Sequence, residues 1–540
     1  MSALGSDDPR VPTDVMPIAF LEGSDYEMGY QYGMQLHRHL KAACSDAWVR
    51  ALKLGDPRHP TAPDRDAVIR DLDVYRRLLQ EYMPEQLEQM RGMLDALSRV
   101  GVGVDEYDLL LIQAGVNRRL AAEASGHADL TAEKSCCSWS AWGNTTTGGQ
   151  LICSDSFDGD YTQQVCVLAF PAEGSPFVST AAVGELSSHA AYSLSGWFFG
   201  NSGGNGRRLK DWGYGLRWTS VIQHCVRFAR DAESARKMLE GWPHALPENY
   251  HLVDRSRDAM VIELTAESMH VRRPGDHGEG DYLYSTNNYL CQDMRVACDP
   301  SGTTEYVPYG GWPGNAGVPR NLELKQFLSF YGGSVDLRFA KMMWRFPGDL
   351  PPPDDRGWSN MICRMSNNRV AIVLPDEGPY GEFHLCTGPV GRVVHQFKSS
   401  TFPVDGTHSF VRMRLHATPE EVAEQMYYVA RDDVARAHHA LARLQATHCG
   451  YAGLNEMKVR AHRLLFRGKD SLYQGLLSGR EDRIQLLSDA ASDLACAQAV
   501  ANQVVEFVEP PPTRPDDLGL DPWEQTYSVE AEYEPGYPRR

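Results

Sequence analysis

The chain switches from helical to alternating hydrophobic periodicity and back again. "GSDYEMGYQYGMQLHRHLKAACSDAW" near the start has apolar residues at helical spacing, with Ser24 as N-cap and Glu27 at the capping-box position. Gly29 and Gly33 lie four apart, so they share a helix face. Each costs roughly 1 kcal/mol against alanine, an expense that a closely approaching backbone would offset. A second helix is predicted over Asp64–Arg99, interrupted at Pro84, and "VDEYDLLLIQAGVNRRLAAEA" predicts a third. The chain up to Ser135 thus reads as almost all helix.

Beyond Ser135 the period shortens. "CCSWSAWGN", "QLICSDSF", "QVCVLAFPA" and "FVSTAAVGE" are short apolar or alternating runs, and "TTTGG" between the first two predicts a hairpin. "SGWFFGNSGGNG" reads as a glycine-rich loop. Helices are predicted at "GLRWTSVIQHCVRFA" and "DAESARKMLEGW", then strands at "YHLVD", "AMVIEL", "SMHVRR" and "YLYSTNN". Two more helices, "PRNLELKQFLSFY" and "DLRFAKMMWR", precede strands at "WSNMICRM", "RVAIVLP" and "EFHLCTG". Helical periodicity returns from Pro419 to about Val508. Strand groups alternating with helix pairs predict an α+β fold with antiparallel sheets. The expected organisation is an arm over 1–17, a helical leader over 18–135, a catalytic domain over 136–405, a helical extension over 406–508 and a disordered acidic, Pro-rich tail over 509–540.

Composition narrows the function classes. The net charge of −18 disfavours nucleic acid and anionic membranes as partners. No basic segment followed by an apolar core opens the chain, and no run of about 18 apolar residues occurs. A cytoplasmic location without a membrane span is expected, with the 12 scattered cysteines mostly reduced and buried. There is no CxxC, HExxH, GxxxxGK[ST] or GxGxxG pattern, so neither a metal nor a cofactor is expected.

The candidate chemistry lies at the switch of period. A cysteine at the head of a strand, behind a helical leader, becomes a self-activating nucleophile if the chain is cut before it. Its new α-amine has a pKa of roughly 7.7–8, well below that of lysine, so it can act as base toward its own thiol. Cys136 and Cys137 both compete for this role. A thiol redox pair is a further alternative, opposed by the strained ring that adjacent cysteines must form.

From Ile18 to Val390 the sequence resembles the isopenicillin N acyltransferase-like cysteine N-terminal-nucleophile (Ntn) hydrolases. The leader motif is "GSDYEMGYQYG"; the nucleophile motif is Cys136, Cys137, Ser138, Trp139, Trp142 and Gly143. The family's Gly-Arg-Asn-x-Asp run is matched by Ser154-Asp155-Ser156-Phe157-Asp158, and its Thr-Asn-x-aromatic motif by Thr286-Asn287-Asn288-Tyr289. An arginine opening a helix is matched by Arg320, and "NMICRM" and "FHLCTGPVG" match closing strands. The resemblance implies a four-layer αββα core. It implies Cys136 as nucleophile after cleavage at Ser135–Cys136, Asp158 holding the new amine, Asn287 as oxyanion donor and Arg320 orienting the polar network. Asp155, Trp139, Asn201 and Tyr289 would face substrate. Asp155 stands where the family has arginine, and an anion there predicts a raised thiol pKa. The activity implied is hydrolysis or transfer of an acyl group from a small amide or thioester through an acyl-cysteine. A phospholipase B-like acyl hydrolase and a catalytically silent binding protein are the alternatives. The C-terminal helices match nothing in the family, and covering the cleft or joining copies into a homo-oligomer stays open for them.

Overall fold

The computed structural model describes residues 16–52, 64–115, 117, 119–120, 136–158, 164–204, 206, 209–294, 317–345, 368–386, 409–447 and 452–509. The first strand, β1 (Ile18–Gly23), was not anticipated. It pairs in parallel with β4 (Gln164–Pro171), so the leader contributes a strand as well as helices. All but one of its residues are buried, and its partner is far along the chain, so no local alternation marks it.

Helix α1 (Asp25–Ala51) opens with the expected capping box: the Glu27 N–H donates to Ser24 Oγ at 3.3 Å and the Ser24 N–H to Glu27 Oε2 at 2.8 Å. The α2 helix (Arg65–Tyr82) ends just before Pro84, which starts α3 (Pro84–Arg99). A Cβ on Gly29 would lie 1.9 Å from the Gln89 carbonyl oxygen, and one on Gly33 2.7 Å from Ala96 Cβ. The paired glycines therefore exist for contact between α1 and α3. Helix α4 (Glu106–Ala114) ends at Gly115, whose φ of +63° stops it short of the predicted length.

β2 (Cys137–Gly143) and β3 (Gly149–Asp158) form the predicted hairpin. Beyond β4 run β5 (Phe177–Ala182), β6 (Ala191–Ser193) and β7 (Trp197–Gly203). The last of these overturns the reading of "SGWFFGNSGG" as a loop. Gly200 sits inside β7 because a Cβ there would lie 2.6 Å from Ser138 Oγ on the opposing sheet. Helices α5 (Trp218–Phe228) and α6 (Ala232–Glu240) lead to β8 (Glu248–Asp254), β9 (Ala259–Leu264), β10 (Met269–Arg272) and β11 (Tyr282–Ser285). Then follow α7 (Gly317–Phe330), α8 (Leu337–Arg345), β12 (Asn368–Leu374), β13 (Glu382–Cys386) and β14 (Phe410–Arg414). The expected strand "WSNMICRM", the start of the arm and the tail from 510 lie outside the described residues.

The strands form an eight-stranded sheet, β1-β4-β5-β6-β7-β8-β9-β10, and a six-stranded sheet, β11-β2-β3-β12-β13-β14. Apolar residues of both sheets, among them Phe20, Leu168, Phe198, Leu151, Leu283 and Val373, share one core. Residues of α1 to α6 pack on the outer face of the larger sheet, and those of α7 and α8 on the outer face of the smaller. The fold is α+β, layered helix–sheet–sheet–helix.

The C-terminal helices α9 (Pro419–Thr447), α10 (Ala452–Leu477) and α11 (Arg480–Val508) lie along one side of this sandwich. There β1 and β14 are the outermost strands of their sheets. Side chains of α11 bond their backbones: Phe20 N–H donates to Ser488 Oγ at 2.8 Å, Arg412 N–H to Gln498 Oε1 at 2.9 Å, and Asn502 Nδ2 to the Phe410 carbonyl at 3.1 Å. The extension thus covers two strand edges that would otherwise offer open hydrogen-bonding groups. Among the described residues, no helix is long and apolar enough to cross a membrane.

Candidate active site

β2 divides its side chains between two environments. Cys137, Trp139 and Ala141 join the apolar core under α7 and α8. Ser138 and Ser140 face the larger sheet. The Ser138 hydroxyl donates to Asp155 Oδ2 at 2.5 Å, and Ser140 Oγ lies 2.8 Å from His251 Nε2. Strand side chains alternate, so Cys136, two residues before Ser138, continues the face of the serines. Cys136 and Cys137 are both buried thiols.

Register places the other groups. Ser285 of β11 is opposite Ser138, and Asn287 follows two residues beyond this last pair. Asn287 is fully buried, and its Nδ2 donates to the Gly203 carbonyl at 2.9 Å. The segment carrying Asn287 is held by the larger sheet and by α7. The Thr286 carbonyl accepts from Ser202 Oγ at 2.9 Å and from Asn249 Nδ2 at 2.8 Å, and Thr286 Oγ1 donates to Asn321 Oδ1 at 2.9 Å. Arg320 precedes Asn321 in α7; its side chain lies outside the described residues, as does that of Asp158 at the end of β3.

A second support lies beneath. Glu263 accepts the backbone N–H groups of Leu290 and Cys291 at 2.9 and 3.0 Å. Arg272 is fully buried between Glu263 at 3.3 Å and Glu279 at 2.8 Å, and also donates to the Tyr284 carbonyl. This network anchors both sides of the 286–289 segment.

Asp155 of β3 lies directly opposite Ser138. It is buried, and accepts at the same oxygen from Ser138 and, at 3.1 Å, from the Asn201 N–H. Burial pushes its carboxyl up to about 8, although both hydrogen bonds pull the other way. At neutral pH it is therefore mainly protonated, which removes most of the anionic effect on the thiol that its sequence position predicts. His251 is lowered to about 3 by burial, then by Arg272, and stays neutral.

The remaining sequence candidates lie elsewhere. Trp139 belongs to the helix-side core. Asn201 meets Asp155 through its backbone; its carboxamide shares the strand parity of Trp197 and Phe199, which pack toward the helices. Tyr289 donates its hydroxyl to the Leu264 carbonyl at 2.6 Å and packs with Cys291 and Met294. Ser138, Ser140, His251, Asn249 and the Glu263–Arg272–Glu279 network were not read from the sequence. Their alternation within β2 and β8 is a signal, but only strand pairing shows which face is which. Among the described residues, Asn249 Oδ1, Ser285 Oγ and Asn321 Nδ2 are buried without a hydrogen-bond partner, all on residues adjoining this segment.

No protein-family profile matches the chain. An uncharacterized protein of Archaeoglobus fulgidus is 25% identical over 266 residues, which cover 47% of this chain and 44% of that protein; the match thus spans less than half the relative's length. Among solved structures, a Caenorhabditis elegans ortholog of N-acylethanolamine-hydrolyzing acid amidase is 11% identical, with a TM-score of 0.26, covering 45% of this chain and 96% of that one. A variant of conjugated bile acid hydrolase from Clostridium perfringens is 10% identical, with a TM-score of 0.29, covering 52% and 98%.

Proposed function

We propose that the protein is a cysteine Ntn amidohydrolase or acyltransferase, with Cys136 as nucleophile after self-cleavage at Ser135–Cys136. What supports this reading is the pairing of β2 with β3 and β11, which sets Asp155 and Ser285 beside Ser138; Ser138 comes two residues after Cys136, and Ser285 two before Asn287. The resemblance in motif order supports it independently.

In this reading the thiol of Cys136 first adds to the Ser135 carbonyl. The peptide C–N bond breaks, the nitrogen takes the proton, and water hydrolyses the resulting thioester. The freed α-amine then accepts the thiol proton as sulfur attacks a substrate amide. Asn287 donates to the oxygen on which charge develops. Collapse expels the amine, which receives that proton, and water or a second amine takes the acyl group from sulfur. Asp158 would hold the α-amine and Arg320 would order the polar network, as the resemblance implies. Trp139, Asn201 and Tyr289 would act behind the pocket rather than on substrate. Incubation with a slowly turned-over linear acyl amide, followed by peptide mapping, tests the reading. It expects the acyl mass on Cys136; acyl on another residue, or turnover with no covalent adduct and an unmodified Cys136, overturns it.

A further inference from the structure

Outside this site, one cluster brings together three side chains of metal-ligating type. His270 lies on β10, the outermost strand of the larger sheet, and Cys291 and Asp293 lie on the segment that leaves Asn287. One donor atom from each falls within 4.8 Å of the others. We propose that His270, Cys291 and Asp293 form a zinc-class divalent metal site that ties the Asn287 segment to β10.

The donor chemistry favours zinc. A thiolate, an imidazole and a carboxylate are all common zinc ligands, whereas magnesium and calcium take oxygen donors. Donors about 2.0–2.3 Å from a tetrahedral zinc stand roughly 3.5 Å apart, so the three must draw together by about an ångström. Asp293 is exposed and has room to do this. A water on that open side would complete the tetrahedron.

The scaffold already brings the ligands together. His270 is directly opposite Glu263 across the β10–β9 pair, so the two side chains share a face. Glu263 in turn accepts the backbone N–H of Cys291. Both ligands are thereby referenced to one buried carboxylate, itself held by Arg272. His270 and Cys291 are 21 positions apart and come from a strand and a loop, so no metal spacing shows in the sequence. Because Cys291 follows Asn287 by four residues, bound metal would also steady the proposed oxyanion donor.

The test uses the full-length protein, stripped with a chelator, dialysed, and titrated with Zn²⁺ or Co²⁺. One Zn²⁺ per chain and a cobalt–thiolate charge-transfer band are expected. The band should vanish in Cys291→Ser and persist in Cys136→Ser and Cys137→Ser. His270→Ala and the exposed Asp293→Asn should weaken Zn²⁺ binding by at least ~10-fold while keeping the wild-type circular dichroism. Absence of stoichiometric binding to the wild type, a band that survives Cys291→Ser, or a band lost in Cys136→Ser would overturn the proposal.

Discussion

The two faces of β2 do different work. On the helix side, Cys137, Trp139 and Ala141 fill an apolar core. On the sheet side, Ser138 and Ser140 each engage a buried ionisable partner, Asp155 and His251, held neutral by the same low-dielectric surroundings. The difference separates two adjacent cysteines that composition cannot distinguish. One residue step along a strand is the difference between a packing thiol and a thiol facing polar groups.

The sharpest way to break this comparison is at the cysteines. Cys136→Ala is expected to abolish both chain cleavage and amide turnover, whereas Cys137→Ala should retain activity and lose only packing. The reverse outcome in a turnover assay would exchange the roles of the two faces. Next in size is Asn287→Ala, expected to lower kcat by roughly 100- to 1000-fold, as loss of one oxyanion donor does, with the fold kept. A near-normal kcat together with a lowered melting temperature would leave Asn287 only a structural role.

Gly200→Ala probes the closeness of the two sheets. The added Cβ would lie 2.6 Å from Ser138 Oγ and 2.9 Å from its Cβ. A destabilisation of about 1–3 kcal/mol is expected from urea unfolding, against a neutral result if β7 can move away. The last prediction concerns Asp155 and is read as a slope against pH. Its carboxyl titrates at the ordinary 3.8 when unfolded and at about 8 when folded. Between those values the folded state keeps a proton that the unfolded chain has released, so stability falls as pH rises through this window. The slope is up to about 1.4 kcal/mol per pH unit. Asp155→Asn should flatten that part of the stability profile; an unchanged slope would mean that Asp155 is ionised in the folded protein.

Local signals in the sequence proved sufficient for elements that are themselves local. Ser24 and Glu27 cap α1, Pro84 separates α2 from α3, and the glycines of "TTTGG" turn the β2–β3 hairpin with φ of +73° and +76° at Gly148 and Gly149. What stayed hidden depends on distant pairing. β1 exists because β4 receives it, and Gly200 is a strand residue because Ser138 presses on it from another sheet. The site divides in the same way. Cys136, Asp155 and Asn287 could be named from motif order, but the face of Asp155, its protonation and the partners of Ser138 and Ser140 follow from register and burial. The motifs around Cys136 supplied candidates for both faces of β2. Trp139, which shares those motifs, faces the other way because its position in β2 is odd with respect to Ser138.

The central claim is that the thiol acts with an α-amine on its own residue, and the mass of freshly purified protein tests it most directly. Cleavage before Cys136 separates 135 of 540 residues, by proportion roughly 15 kDa of the 60.2 kDa chain, leaving roughly 45 kDa. The two pieces should co-purify, because α1 and α3 bury apolar faces against the sheet that the larger piece provides. The account predicts both masses without added protease, a peptide beginning at Cys136, and a single uncut species for Cys136→Ala. A fully active wild-type protein found only as the intact chain would contradict it.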